Sequence, residues 1–400
     1  MALTSGPVLQ DVRVLDASRV LAGPLCAQTL GDLGAQIIKI ERPGTGDETR
    51  AWGPPFVGTT SAYYLACNRN KRSVALDLSR PEAVSLLHEL ARQSDVLLEN
   101  FLPASAKKLG LDSESLLGIN PRLIICSLSG FGRTGPRRDQ PGYDFAIQAM
   151  SGLMDITGPV AGPPSKVGVA VVDVLTCLYA STATLACLHA RAQSGHGYAI
   201  DLALLDCAVA AQVNVLQAYL ADKRPVARVG NAHLQIVPYQ LFQTADGWIV
   251  LAVGNDGQWQ RFCSVAGLLD LSADARFIRN VDRVRHRGEL VPLLENRFQQ
   301  AATSEWESLL LSGEVPHAPV WDYATLLADP QAAARGLRLT VKDKQGQPVD
   351  LIGSPFRIEG MQSVEHRFPP DLGADTEKVL KELLGMDEAK LIDLRTRGII

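Results

Sequence analysis

The feature that most constrains the fold is a repeated alternation of short apolar runs with helical segments in the N-terminal part of the chain. The apolar runs that predict β-strands are residues 12–16, 36–41, 73–77, 95–99 and 123–127. The segment between the first two runs begins at Ala22 and is long enough for a helix, and Pro81 opens another helix further on. Alternation of this kind predicts a doubly wound parallel sheet with helices on both faces.

A second, smaller domain is predicted where the pattern changes near Arg228. Apolar runs at 237–242 and 247–252 flank a polar turn, which is typical of antiparallel strands, and helical stretches continue to about Glu314. The segment 369–400 is helical and charged in pattern. We predict an α/β fold, with a Rossmann-like large domain and a smaller α+β domain. The predicted division is 1–225 for the N-terminal part of the large domain, 226–325 for the small domain, and 326–400 for a return to the large domain.

Composition limits the kinds of binding partner and the cellular compartments that we expect for this chain. The chain has 39 Lys and Arg against 43 Asp and Glu, and no basic cluster, so we expect no nucleic acid partner. The longest apolar stretch, Val167 to Ala190, is interrupted by polar residues, which favours a strand and a buried helix over a membrane span. The first residues lack a targeting pattern, and seven scattered cysteines are typical of a reducing compartment. We expect a cytoplasmic protein, or a mitochondrial matrix protein if a eukaryotic precursor is processed.

Several kinds of catalytic site find no support in the sequence. The seven histidines never fall at metal-ligand spacing with one another or with a cysteine. The chain has no GxSxG nucleophile elbow, no GxGxxG and no phosphate-binding GxxxxGK motif. We therefore predict no metal site, no permanently bound cofactor and no nucleotide site of the usual doubly wound kind.

Asp173 is the most informative carboxylate. It follows the apolar run 167–172, which predicts a strand, and precedes the helical run 174–180. Open α/β sheets place their sites at the carboxyl ends of strands, so Asp173 is a candidate nucleophile. Its position alone favours a simpler interpretation, because aspartate is among the best N-cap residues of a helix.

Two other segments have a similar double interpretation. Gly254-Asn255-Asp256-Gly257 forms a Gly-rich turn after an apolar run, where backbone amides can face an oxyanion, although such turns are common before helices. Tyr143 and Asp144 begin a predicted helix and offer a phenol and a carboxylate, although Asp144 could equally be a cap.

A set of ordered motifs runs nearly from end to end of the chain. They are Arg19–Pro24, Gly31–Ala35, Ile38–Pro43, Gly46-Asp47, Asn68–Ser73, Glu99–Phe101, Gly110-Leu111, Asn120–Leu123, Gly130–Gly132, Thr134–Pro136, Gly142–Asp144 and Asp329–Gln331. In this order they resemble the class III CoA-transferases, the family of formyl-CoA transferase and carnitine CoA-transferase. Each motif alone is weak, whereas the ordered set is specific.

The resemblance implies roles for particular residues. It makes Asp173 the nucleophile and makes Gly254, Asn255, Asp256 and Gly257 the loop that covers the intermediate, although formyl-CoA transferase has four glycines there. The positions that the resemblance assigns to coenzyme A binding are Arg42, Leu76, Asn100, Phe101, Lys108, Tyr143 and Asp144.

The resemblance also suggests the substrates. Leu21 stands where formyl-CoA transferase has a glutamine, which speaks against formate and oxalate. The segments 46–56 and 236–240 resemble the branch of the family that uses succinyl-CoA and glutarate, so we expect succinyl-CoA as donor and a dicarboxylate as acceptor. For the distal carboxylate of the acceptor, a bidentate guanidinium is suitable, and Arg50 is the first candidate and Arg72 the second.

The resemblance implies a reaction through an aspartyl anhydride and an aspartyl-CoA thioester, and a homodimer of interlocked rings. Two alternatives stay open. One is an acyl-CoA racemase of the same fold, which needs a histidine before Tyr143 that the segment 132–142 lacks. The other is a non-catalytic CoA-binding protein.

Overall fold

A computed structural model describes residues 6–400 and divides them into two compact units. The larger unit contains residues 6–153, Val167–Asp222 and Gln331–Ile400, and the smaller contains Met154–Lys166 and Lys223–Pro330. The segment 154–166 thus belongs to the smaller unit, although the sequence division placed it in the first segment. The first five residues, where the search for a targeting pattern began, lie outside the described part.

The strands of the described residues are short. In chain order they are β1 (Arg13–Asp16), β2 (Gln36–Glu41), β3 (Phe56–Val57), β4 (Thr60–Ser61), β5 (Lys71–Ala75), β6 (Val96–Glu99), β7 (Ile124–Ser129), β8 (Tyr198–Ala203), β9 (Tyr239–Gln243), β10 (Trp248–Ala252), β11 (His317–Pro319), β12 (Arg338–Lys342) and β13 (Pro348–Ile352).

Helices make up most of the remaining regular structure. The first group is α1 (Ala22–Asp32), α2 (Ala62–Cys67), α3 (Pro81–Arg92), α4 (Pro103–Lys108), α5 (Ser113–Ile119), α6 (Asp144–Met150), α7 (Leu153–Ile156), α8 (Val171–Ser194), α9 (Leu204–Ala210) and α10 (Val213–Asp222). The second group is α11 (Asp256–Ala266), α12 (Leu269–Ala273), α13 (Asn280–Arg285), α14 (Arg287–Phe298), α15 (Thr303–Ser312), α16 (Tyr323–Ala328), α17 (Pro330–Ala334), α18 (Thr376–Leu384) and α19 (Glu388–Thr396). A short 3₁₀ helix covers Glu48–Ala51.

The larger unit is built on a six-stranded parallel sheet in the order β5-β2-β1-β6-β7-β8. Renumbered along the sheet's own chain order, this is 3-2-1-4-5-6, the order of doubly wound dinucleotide-binding folds. The order reverses between β1 and β6, and in such sheets ligands bind outside the carboxyl ends of the strands at that point. The doubly wound prediction is confirmed.

Alternate side chains of the strands enter two separate cores, one on each face of the sheet. Leu15, Leu97 and Ile125 lie in one core together with α3, α18 and α19. Their neighbours along the strands, such as Val14 and Leu98, lie in the other core with α1 and α8. Successive strand residues point to opposite faces, so a sheet covered on both faces needs apolar residues at nearly every position.

One strand prediction is wrong. Residues 167–170 are irregular, and Val171 and Val172 already belong to α8. The last sheet position is taken instead by β8, which pairs with β7 after the long helix. An apolar run by itself does not distinguish a strand from the buried start of a helix, and here the backbone N–H groups of Val167 and Val172 bond to side chains of α6.

The smaller unit has its own core. Strands β9 and β10 pair antiparallel, as predicted, and β11 adds to the other edge of β10. Helices α11, α14 and α15 pack on this sheet around Trp259, Phe298 and Trp306, each fully buried.

Helix α8 is the one helix of the described residues that is long and apolar enough to cross a membrane, and α9 with α10 form a bent pair that also passes this test. In the structure α8 packs on α1 and contributes Cys177 and Ala180 to a core of the larger unit. Its other face is exposed, as Leu178 and Tyr179 show.

Candidate active site

Asp173 is the third residue of α8, so it lies in the first helical turn and is not the N-cap. The N-cap is Ala170, which offers no side-chain acceptor. Asp144, at the start of α6, takes over that function from outside the helix. Its Oδ1 atom accepts the backbone N–H of Val172 at 2.7 Å and that of Asp173 at 3.3 Å. The capping interpretation therefore applies to Asp144, and the carboxylate of Asp173 does not cap the helix.

The Asp173 carboxylate is partly buried and receives no hydrogen bond from residues 6–400. Burial raises the pKa of Asp173 to about 7, and the negative charge of Asp144 contributes in the same direction. An aspartate with this pKa is a better nucleophile when ionised than an ordinary one, because its charge is poorly solvated and its lone pairs are unused.

Asp144 is itself held in place by a buried glutamine. Its Oδ2 atom accepts a hydrogen bond from Nε2 of Gln148 at 2.6 Å, and Gln148 is fully buried one helical turn further along α6. The Oε1 atom of Gln148 accepts the backbone N–H of Val167 at 2.9 Å. The two side chains thus fix both the segment before α8 and the first turn that carries Asp173.

Asp173 lines a cavity of about 280 Å³ at the switch point of the sheet. Its walls come from the segments that follow β1, β6 and β7, together with the start of α9. The lining residues are Arg19, Val20, Leu21, Ala22, Glu48, Asn100, Phe101, Leu102, Ser105, Leu128, Ser129, Gly130, Pro141, Gly142, Tyr143, Asp173 and Leu204. The carboxyl ends of the central strands and the nucleophile candidate therefore share one concave site.

A larger cavity of about 730 Å³ adjoins the first, and both are lined by Arg19, Glu48 and Phe101. Arg42 and Leu76 lie in its wall, as do residues of the 3₁₀ helix. A long ligand with its reactive end at Asp173 can therefore extend into this second space.

The predicted coenzyme A contacts separate into three groups. Asn100 and Tyr143 line the cavity at Asp173, Arg42 and Leu76 line the adjoining one, and Phe101 lines both. Asp144 caps α8 and lines neither cavity. Lys108 is exposed at the end of α4 and lines neither cavity.

The two arginines predicted for the acceptor carboxylate are engaged elsewhere. Arg50 donates from Nε and Nη2 to the two oxygens of Glu41, at 2.8 and 2.7 Å, and from Nη2 to the hydroxyl of Tyr64. Arg72 pairs with Glu382 at 2.8 Å. Neither lines the cavity at Asp173, so their role in acceptor binding stays a prediction.

The Gly-rich turn of the smaller unit is an ordered helix start. Asn255 is the N-cap of α11 and accepts the backbone N–H of Gln258 at 2.9 Å, while Oε1 of Gln258 accepts that of Gly254 at 2.7 Å. Asp256 pairs with Arg283 at 2.9 Å. The part that this loop plays in the reaction also stays a prediction.

Tyr63 and Gln148 are site residues that the sequence analysis did not single out. Burial raises the pKa of the Tyr63 phenol to about 12, and the charge of Asp173 is the next largest cause, so the two groups are electrostatic neighbours. Both residues lie in short helices and belong to no chemical motif. Only their placement beside Asp173 and Asp144 identifies them.

The described residues contain no cluster of His, Cys, Asp and Glu that could hold a metal ion, and no histidine is among the lining residues of either cavity. The titratable side chain that the cavity at Asp173 holds at its centre is therefore a carboxylate.

Comparisons with known proteins agree with this geometry. Residues 9–376 match the model of CoA-transferase family III. Succinyl-CoA:glutarate CoA-transferase from Homo sapiens is 41% identical over 98% of this chain and 90% of its own length. Succinate--glutarate CoA-transferase from Agrobacterium fabrum is 42% identical over 94% of this chain and 96% of its own length.

Solved structures show the same fold. A CAIB/BAIF family protein from Brucella suis is 41% identical and superposes with a TM-score of 0.83, covering 95% of this chain and 100% of that one. Rv3272 from Mycobacterium tuberculosis is 31% identical, with a TM-score of 0.83, and covers 93% and 98%. The doubly wound sheet, the carboxylate at its switch point and these full-length matches lead to one conclusion: the chain belongs to CoA-transferase family III.

Proposed function

We propose that this protein transfers CoA from succinyl-CoA to glutarate, with Asp173 as the nucleophile. The observation that carries the proposal is the Asp173 carboxylate, which has no hydrogen-bond partner among residues 6–400 and lies in a cavity that continues into a second one. The names of the relatives supply the two acids. The donor thioester would lie at Asp173, and the nucleotide end of CoA would extend toward Arg42 and Leu76.

The chemistry follows from exchanging one thioester for another. The Asp173 carboxylate attacks the acyl carbon of the donor, and CoA leaves as a thiolate, which gives a mixed anhydride. The thiolate then attacks the aspartyl carbonyl, which releases succinate and leaves an aspartyl-CoA thioester. The acceptor carboxylate displaces the thiolate to form a new anhydride, and the thiolate attacks the acceptor acyl carbon. This last step restores Asp173. In each half of the reaction, two small barriers thus replace one large barrier.

Each of these steps needs a site from which water is excluded, because water would hydrolyse the anhydride. Asp173 is partly buried in a wall that contains Leu21, Leu128 and Leu204, so apolar side chains surround the reacting carbon. Hydrogen bonds from backbone amides would stabilise the negative charge that develops on the carbonyl oxygen. The start of α1 is the candidate donor, since no side chain caps it and Ala22 lines the cavity.

We also propose that the protein is a homodimer and that it is located in the cytoplasm. Helix α10 has no buried residue and exposes Val213, Tyr219 and Leu220. It contacts α9, which in turn contacts α8, a helix with an exposed apolar face of its own. An apolar surface of this kind is typical of a subunit interface. The cysteines of the described residues are all free, which is consistent with a reducing compartment.

Trapping the covalent intermediate tests the nucleophile. The protein is incubated with succinyl-CoA and then with hydroxylamine, and peptides are mapped by mass spectrometry. We expect a hydroxamate at Asp173, and none in Asp173→Asn. Asp206→Asn is the matched control, because Asp206 is the third residue of α9 and is exposed. A protein that transfers CoA with no label at Asp173 would refute this assignment.

A panel of acids then tests the acceptor. With succinyl-CoA as donor, glutarate should give a higher kcat/KM than formate, oxalate or monocarboxylates. Equal rates across the panel would refute glutarate as the preferred acceptor, whereas the proposal of CoA transfer would still stand.

A further inference from the structure

The wall of the cavity at Asp173 contains a valine in an unusual backbone conformation. Val20 has a φ of 72°, in the left-handed region, where a β-branched side chain crowds the backbone. Such a conformation persists only where its surroundings hold it, and it is commonly found at functional sites. Val20 lines the cavity together with Leu21 and Ala22, which follow it directly.

Asn100 holds the residue before Val20 from both sides. Its Oδ1 atom accepts the backbone N–H of Arg19 at 3.0 Å, and its Nδ2 atom donates to the carbonyl of Arg19 at 2.8 Å. Both ends of the side-chain amide are therefore bonded to one residue of the segment after β1. Asn100 itself follows β6, which is the neighbour of β1 in the sheet.

A buried ion pair also holds this turn. The carboxylate of Asp47 accepts the backbone N–H of Val20 at 3.3 Å and pairs with Nζ of Lys39 at 2.9 Å. Both charged side chains are completely buried. Nζ of Lys39 also donates to the carbonyl of Ser18 at 3.0 Å. Ser18, Arg19 and Val20 are thus each bonded to a side chain from a distant part of the chain.

Burial works to raise the pKa of Asp47, but the Lys39 charge and the hydrogen bonds of Thr49 together hold it below its usual value. Asp47 therefore remains an acceptor for Val20 at any pH at which the enzyme would work.

We propose that Asn100 is a positioning residue of the reaction. It holds the Arg19–Val20 turn in its strained conformation, so that Leu21 and Ala22 stay at the cavity wall while Asp173 attacks the thioester. The inference rests on the proposed function. It assigns the Asn100 side chain to the protein's own backbone, in place of the direct contact with CoA that the resemblance implied.

A double-mutant cycle with Val20→Gly tests this assignment. Glycine adopts the left-handed region without strain, so the turn in Val20→Gly needs the Asn100 amide less. In the wild-type background, Asn100→Ala should slow formation of the Asp173 adduct at saturating succinyl-CoA by about 10- to 100-fold, the effect of a small misplacement of reacting groups. In the Val20→Gly background, the same substitution should cost about threefold or less, since the conformation no longer depends on the clamp.

Hydrogen exchange of the peptide covering residues 18–23 provides a readout that does not depend on activity. Beyond the Arg19 amide, which loses its acceptor in both backgrounds, exchange there should rise in Asn100→Ala and return toward the Val20→Gly level in the double variant. Asn120→Ala is the matched control, because the Nδ2 atom of Asn120 donates to the backbone carbonyls of Ala91 and Ser94, away from both cavities. It should lower stability without slowing adduct formation.

Three results would overturn the proposal. They are an equal loss from Asn100→Ala in both backgrounds, a raised KM for succinyl-CoA with an unchanged adduct rate, and a comparable loss in Asn120→Ala. If the wild-type protein forms no adduct at all, the proposed function fails instead, while the exchange measurement still decides whether Asn100 holds the turn.

Discussion

Asp173 shows how one side chain acquires reactivity from its surroundings. An aspartate is ordinarily ionised well below neutral pH, but burial and the nearby Asp144 raise the pKa of Asp173 to about 7. Asp144 also supplies the hydrogen bonds that would otherwise draw the Asp173 carboxylate back to its own helix. The same neighbour therefore leaves the proposed nucleophile uncapped and adds to the rise that burial causes in its pKa.

The first prediction concerns stability. The pKa of Asp173 is higher in the folded than in the unfolded protein. The stability that its protonated form contributes is therefore fully present below about pH 4 and is lost as pH rises through about 7. The asparagine of Asp173→Asn does not titrate, so the variant does not lose this stability at higher pH. Its free energy of unfolding should exceed that of the wild type by about 1–3 kcal/mol at pH 8, less than full linkage gives because the side chain is partly exposed.

Urea denaturation at pH 4, 6 and 8 measures this difference, which should shrink toward pH 4. Asp206→Asn, at the same helical position but exposed, should show no such gain. A gain from Asp173→Asn that is independent of pH would contradict the explanation.

The second prediction concerns the pH dependence of activity. Since the nucleophile must be ionised, kcat/KM for the acyl-CoA should rise with pH through a limb near 7. Asp144→Asn removes a negative charge beside Asp173, which lowers the pKa of Asp173, so the limb should move down by about one pH unit. Asp139→Asn, an exposed carboxylate of the preceding loop, should leave the limb in place. A limb that stays or moves up in Asp144→Asn would show that Asp144 acts only as a cap.

At the scale of elements, the site depends on how closely the end of β7 approaches the start of α6. Gly130 and Gly142 face each other there, and both line the cavity. A Cβ atom on Gly142 would lie 2.7 Å from the Cα atom of Gly130, closer than two carbon atoms can pack. The absence of side chains at these two positions therefore lets Tyr143 line the cavity and Asp144 reach the first turn of α8.

The third prediction follows from this contact. Gly142→Ala should force the two segments apart, lower the free energy of unfolding by about 1–3 kcal/mol and reduce kcat/KM by about 10-fold or more. Gly118→Ala is the matched control, because Gly118 lies in α5 with no atom within 4 Å of a new Cβ. It should keep full activity and gain up to about 1 kcal/mol from helix propensity. Wild-type activity in Gly142→Ala would refute the need for this close approach.

At the scale of the whole molecule, the larger unit leaves an apolar surface uncovered. Leu178 on α8 is 51% exposed and Leu220 on α10 is 49% exposed, and α10 buries none of its residues. Single exposed leucines are normal, but several exposed apolar residues on the helices of one unit are typical of an interface.

The fourth prediction is that the protein is a dimer in solution through this surface. Light scattering should give twice the chain mass of 43.1 kDa. The double variant Leu178→Glu with Leu220→Glu should give monomer or aggregated material, because two charges cannot be buried in an apolar interface. Leu311→Glu, at an exposed leucine of the smaller unit, is the control and should leave the mass unchanged. A monomeric wild-type protein would exclude the proposed interface.

The sequence by itself determined the strands β1, β2, β5, β6 and β7 to within about two residues, the antiparallel pair β9 and β10, and the family. Apolar periodicity and turn residues are local signals, and the ordered motifs are specific, so neither needs a structure. Asp173 was identified through those motifs, although the strand predicted before it was wrong.

The tertiary structure decided what surrounds Asp173. The cap comes from Asp144, 29 residues away in sequence, and the left-handed turn at Val20 is held by Asn100, 81 residues from its partner Arg19. It also placed Arg50 against Glu41, where the sequence had suggested a free guanidinium. These contacts join segments that meet only when the sheet has formed, and no local pattern encodes a hydrogen bond between distant side chains and backbone.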